Sequence, residues 1–192
     1  MKKLVFIGII MLSTINLFAI EEKLQKIYGN EENAIYTNIL SFLFKEVNIT
    51  YERLIENKYS LVITAGASDA APVDVSNSSD WSFLTTILKF GFSVYPAGRY
   101  GNTLRGFYFM PNYTIINIDA KYKPQNISGT NLAHKIGVNF GYKWILNKVV
   151  FDLSAGFGYR TAITVKAGSI EAGSCDHKVG LTYLGLHFGY SW

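Results

Sequence analysis

The residues with most chemical reach in this 192-residue chain are three histidines and a single cysteine, and their spacing decides what each could do. Alternate side chains of a β-strand share a face, so a histidine with a serine two residues on could pair as general base and nucleophile. His134 lies on an apolar face, but position 136 is Ile, which leaves no nucleophile in register. His187 stands among Gly185, Gly189 and Ser191 on a polar face, where an interior hydrogen bond is its expected role. Cys175, Asp176 and His177 are contiguous, a spacing that does not wrap a metal tetrahedrally, so no metal site is expected. A lone cysteine also excludes an intramolecular disulfide. With no glycine-rich phosphate loop and no Ser/His/Asp spacing, the chain is expected to be non-enzymatic, with no catalytic residues and no cofactor.

The other ionisable candidates are Glu52, Lys89, Lys135, Lys143, Asp152 and Arg160. The elements that carry them alternate in period two. Val149, Phe151, Leu153, Ala155, Phe157 and Tyr159 form one face, opposite Asp152, Ser154, Gly156, Gly158 and Arg160. Upstream, Leu132, Ile136, Val138, Phe140, Tyr142 and Trp144 oppose Lys135, Gly137, Asn139, Gly141 and Lys143, with Asn147 and Lys148 as the tight turn between the two strands. The chain ends in the same way: Leu184, Leu186, Phe188, Tyr190 and Trp192 alternate with Gly185, His187, Gly189 and Ser191. Strands with one apolar and one polar wall fit lipid outside and a polar lumen inside.

Further strands are expected around Leu84–Val94 and Phe107–Ile115, with a bulge or kink at Pro111, which lacks an amide proton for the ladder. Val47–Glu52 and Tyr59–Ala65 flank a turn at residues 56–58, and Ala34–Phe44 supplies the first strand although both its faces are apolar. Short connections at 56–58, 97–103 and 147–148 alternate with longer ones at 68–80, 121–131 and 163–177. That rhythm, together with a very short connection near Lys45 and Glu46, brings the count to eight strands with both termini on the short-turn side.

Lys2 and Lys3, an apolar run from Leu4 to Met11 and the stretch ending at Ala19 have the layout of a cleaved secretory signal over residues 1–19. Its removal leaves 173 residues and lowers the formal charge from +4 to +2, too little and too scattered for nucleic acid. Residues 20–33 then form a short periplasmic tail and 34–192 the barrel. The expected fold is all-β: an eight-stranded antiparallel up-and-down transmembrane barrel in a bacterial outer membrane, monomeric, with outer-membrane lipid as its surroundings. A soluble β-sandwich would alternate similarly; the terminal aromatic and the loop rhythm favour the barrel.

Three roles follow for named residues. An eight-stranded interior is filled by its own side chains, so Glu52 and Asp152 are expected to offset Lys89, Lys135, Lys143 and Arg160 in a lumen charge network. Tyr142, Trp144, Tyr190 and Trp192 come at the inner ends of inward-running strands, as an interfacial aromatic girdle would. Leu184, Leu186, Phe188, Tyr190 and Trp192 form the C-terminal assembly strand.

The residues Asn38-Ile39-Leu40, Tyr51-Glu52-Arg53, Gly106-Phe107-Tyr108-Phe109-Met110-Pro111 and the ending Tyr190-Ser191-Trp192 resemble a family of small outer-membrane β-barrels classed as a domain of unknown function. That family is similar in architecture to OmpX and the transmembrane domain of OmpA. The resemblance implies no activity. It implies delivery by periplasmic chaperones and by the barrel-assembly machinery that reads the C-terminal strand. From the residues, the leading functional expectation is a surface protein with a structural, adhesion or envelope-integrity role. A narrow, weakly anion-selective channel is the alternative, and a lipid-A-modifying enzyme a third.

Overall fold

A computed structural model describes residues 32–56, 58–70, 78–96, 104–176 and 178–192. Among the described residues ten strands follow one another: β1 (Asn33–Asn38), β2 (Glu46–Glu56), β3 (Tyr59–Ser68), β4 (Trp81–Val94), β5 (Gly106–Tyr122), β6 (Ile127–Leu146), β7 (Val149–Arg160), β8 (Ile163–Ala167), β9 (Ile170–Cys175) and β10 (Lys178–Ser191). Eight of them close a barrel in the order β1-β10-β7-β6-β5-β4-β3-β2, and β8 and β9 form a separate two-stranded sheet. Every barrel pairing is antiparallel. Closure removes the unpaired edges that an open sheet would expose. The chain ends are tied together at one rim, where the Glu32 and Asn33 amides donate to the Trp192 carbonyl at 3.1 and 3.0 Å.

The alternation in the sequence is the alternation in space. In β10, Leu184, Leu186, Phe188 and Tyr190 point outward and are exposed, while His187 and Ser191 are buried in the lumen. In β7, Phe151, Leu153, Phe157 and Tyr159 face out, and Asp152 and Ser154 are buried. Asn147 and Lys148 both take positive φ, 49° and 70°, the backbone of a type I′ turn, whose twist matches that of the flanking strands.

Four expectations are corrected. The first strand stops at Asn38; Ile39–Phe44 is a 3₁₀ segment capped by the Asn38 side chain, which accepts from the Leu40 amide at 3.1 Å, and closed by Lys45 at φ 55°. Its Phe42, Leu43 and Phe44 are all exposed, which is why neither face of the stretch looks polar in sequence. Pro111 causes no bulge: the β4–β5 register is the same at Gly91↔Asn112 and Val94↔Phe109, and only the two intervening pairs are missing, while β5–β6 pairing runs through Pro111↔Val138. The strand loses ladder bonds on one side and keeps its geometry on the other. The connection at 121–131 shrinks, because β5 and β6 zip up to Tyr122↔Ile127 and leave a 3₁₀ turn at Lys123–Gln125. Most of 163–177 is not loop but the β8–β9 hairpin, turning at Gly168 with φ 60°. Residues 1–31, Asn57, 71–77, 97–103 and His177 lie outside the described residues, and with them the signal segment, most of the tail and part of the Cys175-Asp176-His177 trio.

The β8–β9 hairpin lies against the inner face of the long β4–β6 extensions, at the rim away from the termini. Ile163, Val165, Ala167 and Ala172 of the hairpin pack on Trp81, Ile118, Ala120 and Ala133. Gly129 permits this contact, since a Cβ there would sit 2.3 Å from the Lys166 carbonyl oxygen. Asn131 then fixes the register, accepting from the Lys166 amide at 3.0 Å and donating to its carbonyl at 3.1 Å.

Candidate functional site

The lumen has two levels. Nearer the terminal rim, Glu52, Lys143 and Asp152 are completely buried. Strand register brings them together, because Lys143 of β6 and His187 of β10 are both direct partners of Asp152 in β7. The Glu52 carboxylate accepts from Tyr36 Oη at 2.8 Å, Tyr95 Oη at 2.8 Å and Ser60 Oγ at 2.5 Å, and it takes a charged hydrogen bond from Lys143 Nζ. Asp152 accepts from Tyr108 Oη at 2.9–3.0 Å and lies 3.8 Å from Lys143 Nζ. The ammonium is also sandwiched by rings, 4.9 Å from the Tyr36 centroid and 5.2 Å from that of Tyr108. Buried charges survive only when paired and hydrogen-bonded, and this cluster meets both conditions.

Small residues make room for the phenols. A Cβ at Gly141 would stand 2.6 Å from Tyr108 Oη, and one at Gly189 would stand 2.4 Å from the Tyr36 Cβ. Below the cluster, Ala34, Leu54, Leu104, Ile145 and Val150 form an apolar floor, and Arg105 donates to the Ile145 carbonyl. This end of the barrel is filled by side chains.

His187 extends the network. Its Nδ1 lies 3.4 Å from Asp152 Oδ1, and its Nε2 meets the Tyr183 hydroxyl in a short hydrogen bond. An Asp–His pair is two-thirds of a hydrolytic triad, but here Nε2 is occupied by a phenol, and the nearby Ser154 hydroxyl is buried beneath it. The cavity lined by that serine is about 10 Å³, room for about one water. His134 faces outward instead, stacked on Tyr113 and sharing a 2.7 Å hydrogen bond with its hydroxyl. Among the described residues no cluster of three or more His, Cys, Asp or Glu side chains could hold a metal ion.

The second level lies toward the opposite rim. Lys89, Lys135 and Arg160 line a cavity of about 450 Å³ together with Glu46, Thr64, Thr114 and Tyr183. The six charges singled out in the sequence are therefore divided between the two levels. Lys143 reaches Glu52 and Asp152, and Lys89 meets the Tyr183 ring at 4.7 Å. Sequence reasoning missed Glu46, placed in a connection, and missed that Tyr36, Tyr95 and Tyr108 supply the acceptor-seeking hydroxyls of the lower level. Their inward register was the available signal for the last two.

The outer surface is the third feature. Val47, Ile49, Leu61, Leu88, Phe90, Phe92, Phe107, Phe140, Leu153 and Phe157 are exposed along with the outward residues of β10. Rings gather at the terminal rim: Tyr142 and Trp144 are 4.6 Å apart, Tyr190 and Trp192 6.3 Å, and Tyr51 stands 6.4 Å from Trp192.

A family model described as "Protein of unknown function (DUF3575)" matches residues 9–192. The chain belongs to that family. Comparison with curated proteins gives no match. Among solved structures, the crystal structure of Neisserial surface protein A (NspA) superposes with a TM-score of 0.45 at 9% identity, covering 84% of this chain and 94% of that one. The DUF3575 match reaches the last residue, so it takes in the whole barrel, both lumen levels and the terminal aromatic cluster.

Proposed function

We propose that this DUF3575 member is an integral outer-membrane barrel, closed to permeation at its lower level, that acts as a non-enzymatic surface protein in envelope integrity or attachment. The observation that carries the reading is the inversion of the usual soluble pattern: charges are buried in the lumen and large apolar side chains cover the outside. A soluble monomer rarely exposes a contiguous apolar patch beyond a few hundred Å², and each Leu or Phe left in water forgoes about 1.5–3 kcal/mol. Lipid removes that cost. Outward charges such as Arg53, Asp119 and Lys121 are exposed and lie toward the strand ends, leaving an apolar band between them.

In this reading Tyr142, Trp144, Tyr190 and Trp192 form the girdle at the periplasmic interface, residues 1–19 are a cleaved signal, and Leu184 to Trp192 is the strand that assembly machinery and chaperones engage. The β8–β9 hairpin and the β5–β6 extension face the exterior. A hydrolase reading finds no support in the lumen, where the Asp152–His187 pair is spent on Tyr183. The test is gel mobility of membrane-extracted protein, heated against unheated, with flotation on vesicles. A heat-modifiable band that floats is expected; an unshifted protein in the soluble periplasmic fraction would overturn the reading. For the role itself, a clean deletion strain is expected to lose envelope resistance or attachment while its lipid A mass spectrum stays unchanged.

A further inference from the structure

From the upper cavity and the seam beside it, we infer that this barrel binds an anionic amphiphile, its carboxylate or phosphate head among Lys89, Lys135 and Arg160 and its chain leaving sideways between β10 and the 3₁₀ segment. The inference rests on the membrane reading above, since the chain's exit is placed in lipid.

The head site follows from register. Thr64, Lys89, Thr114, Lys135 and Arg160 are successive direct partners across β3, β4, β5, β6 and β7, one inward-facing row of hydroxyls and cations whose backbone register continues to Lys178 of β10. Lys135 and Arg160 thus stand opposite each other, and like charges directly opposite on a sheet destabilise it. The cavity lining carries one acidic side chain, Glu46, and three basic ones. An oxygen-headed anion would bridge them, with the two threonine hydroxyls as further donors. One step farther out, Ile87 and Ile116 are partners on the same inward face, giving the cavity an apolar upper wall. A polar base under an apolar wall, in about 450 Å³, is the usual build of a small-molecule site.

The lateral exit follows from the short first strand. β1 pairs with β10 only as far as Asn38↔His187 and with β2 only as far as Tyr36↔Thr50. Beyond that point the barrel wall between β10 and β2 has no strand, and the 3₁₀ segment covers the gap. Asn38 closes the lower edge with its side chain, donating to the Leu184 carbonyl at 3.2 Å and accepting from the Leu186 amide at 3.1 Å. Above it lies a second cavity of about 300 Å³ lined by Ser41, Phe44, Leu181 and Leu184, and it shares Glu46, Leu181 and Tyr183 with the basic cavity. Phe42, Leu43 and Phe44 are exposed at its outer edge. The seam is apolar outside and leads to cations inside, the order in which an amphiphile's chain and head would meet it.

The test titrates the full barrel in dodecyl maltoside micelles with decanoate, inorganic phosphate or decanol, following the methyl resonances of Thr64 and Thr114 and expressing affinity as ligand mole fraction. Decanoate is expected to shift both methyls saturably. Lys89→Gln and Lys135→Gln should each weaken it at least tenfold, Glu46→Gln should tighten it, and Arg53→Gln, on the outer face, should change nothing. If a lysine variant does not fold, the wild-type methyl shifts and the direction of the Glu46→Gln effect still decide. Phosphate or decanol binding as well as decanoate, unmoved threonine methyls, or indifference to the lysines would each overturn the inference. Unheated gel mobility and vesicle flotation of the same samples separate its failure from that of the membrane reading: a barrel that floats but ignores decanoate refutes this inference alone.

Discussion

The pair β6–β7 carries both lumen levels, and comparing them shows how little separates a plug from a site. At one height Lys143 faces Asp152; eight residues away along β6, Lys135 faces Arg160. Both pairs point inward on the same two strands. The first joins opposite charges in a cluster whose phenol and serine hydroxyls turn toward carboxylates, and it fills its cross-section. The second sets like charges side by side around open space. Strand alternation decides that a residue faces the lumen; the charge of its register partner decides whether that stretch of lumen is closed or receptive.

The sharpest way to break the comparison is to remove Glu52. Glu52→Ala leaves Lys143 buried with Asp152 as its remaining carboxylate at 3.8 Å and strips the acceptor from Tyr36, Tyr95 and Ser60. Breaking a buried pair in this way costs about 3–5 kcal/mol, which should appear as a large drop in the urea midpoint for unfolding from lipid vesicles. Asp152→Asn keeps an acceptor for Tyr108 but loses the charge, and its expected cost is about 1.5–3 kcal/mol, the range for hydrogen bonds to charged groups. Gly141→Ala should cost about 1–3 kcal/mol by overpacking against Tyr108, seen as a lower temperature for the heat-modifiable shift. The smallest effect carries the opposite sign. Lys135→Gln relieves a like-charge pair and should leave stability unchanged or raise it by about 0.2–1 kcal/mol; a loss as large as that of Glu52→Ala would mean the two levels are one network after all.

Much of this was legible in the sequence because period-two alternation is a local property. The inward and outward sets of β4, β6, β7 and β10 follow directly from it, as do the inward placing of all six charges and the turn at Asn147-Lys148. What alternation does not encode is height. Lys135 and Lys143 look equivalent in sequence, and only the pairing with Arg160 or Asp152 separates them. The 3₁₀ segment was hidden for a related reason: Ile39 to Phe44 is apolar except for Ser41, strand-like in composition, and its true marker was Asn38, a side chain able to cap a turn. Ile163, Val165 and Ala167 do alternate, yet the small residues they dock on, Gly129, Asn131 and Ala133, lie some thirty positions earlier, a contact that no local pattern reveals.

The central claim, a lumen sealed at one level and open at the other, is tested most directly by planar-bilayer recording of the folded barrel alongside the Glu52→Ala/Lys143→Ala double variant. No conductance steps are expected from the wild-type chain, and discrete steps are expected once the Glu52 and Lys143 side chains are removed. Steady unitary conductance from the wild-type barrel would contradict the claim.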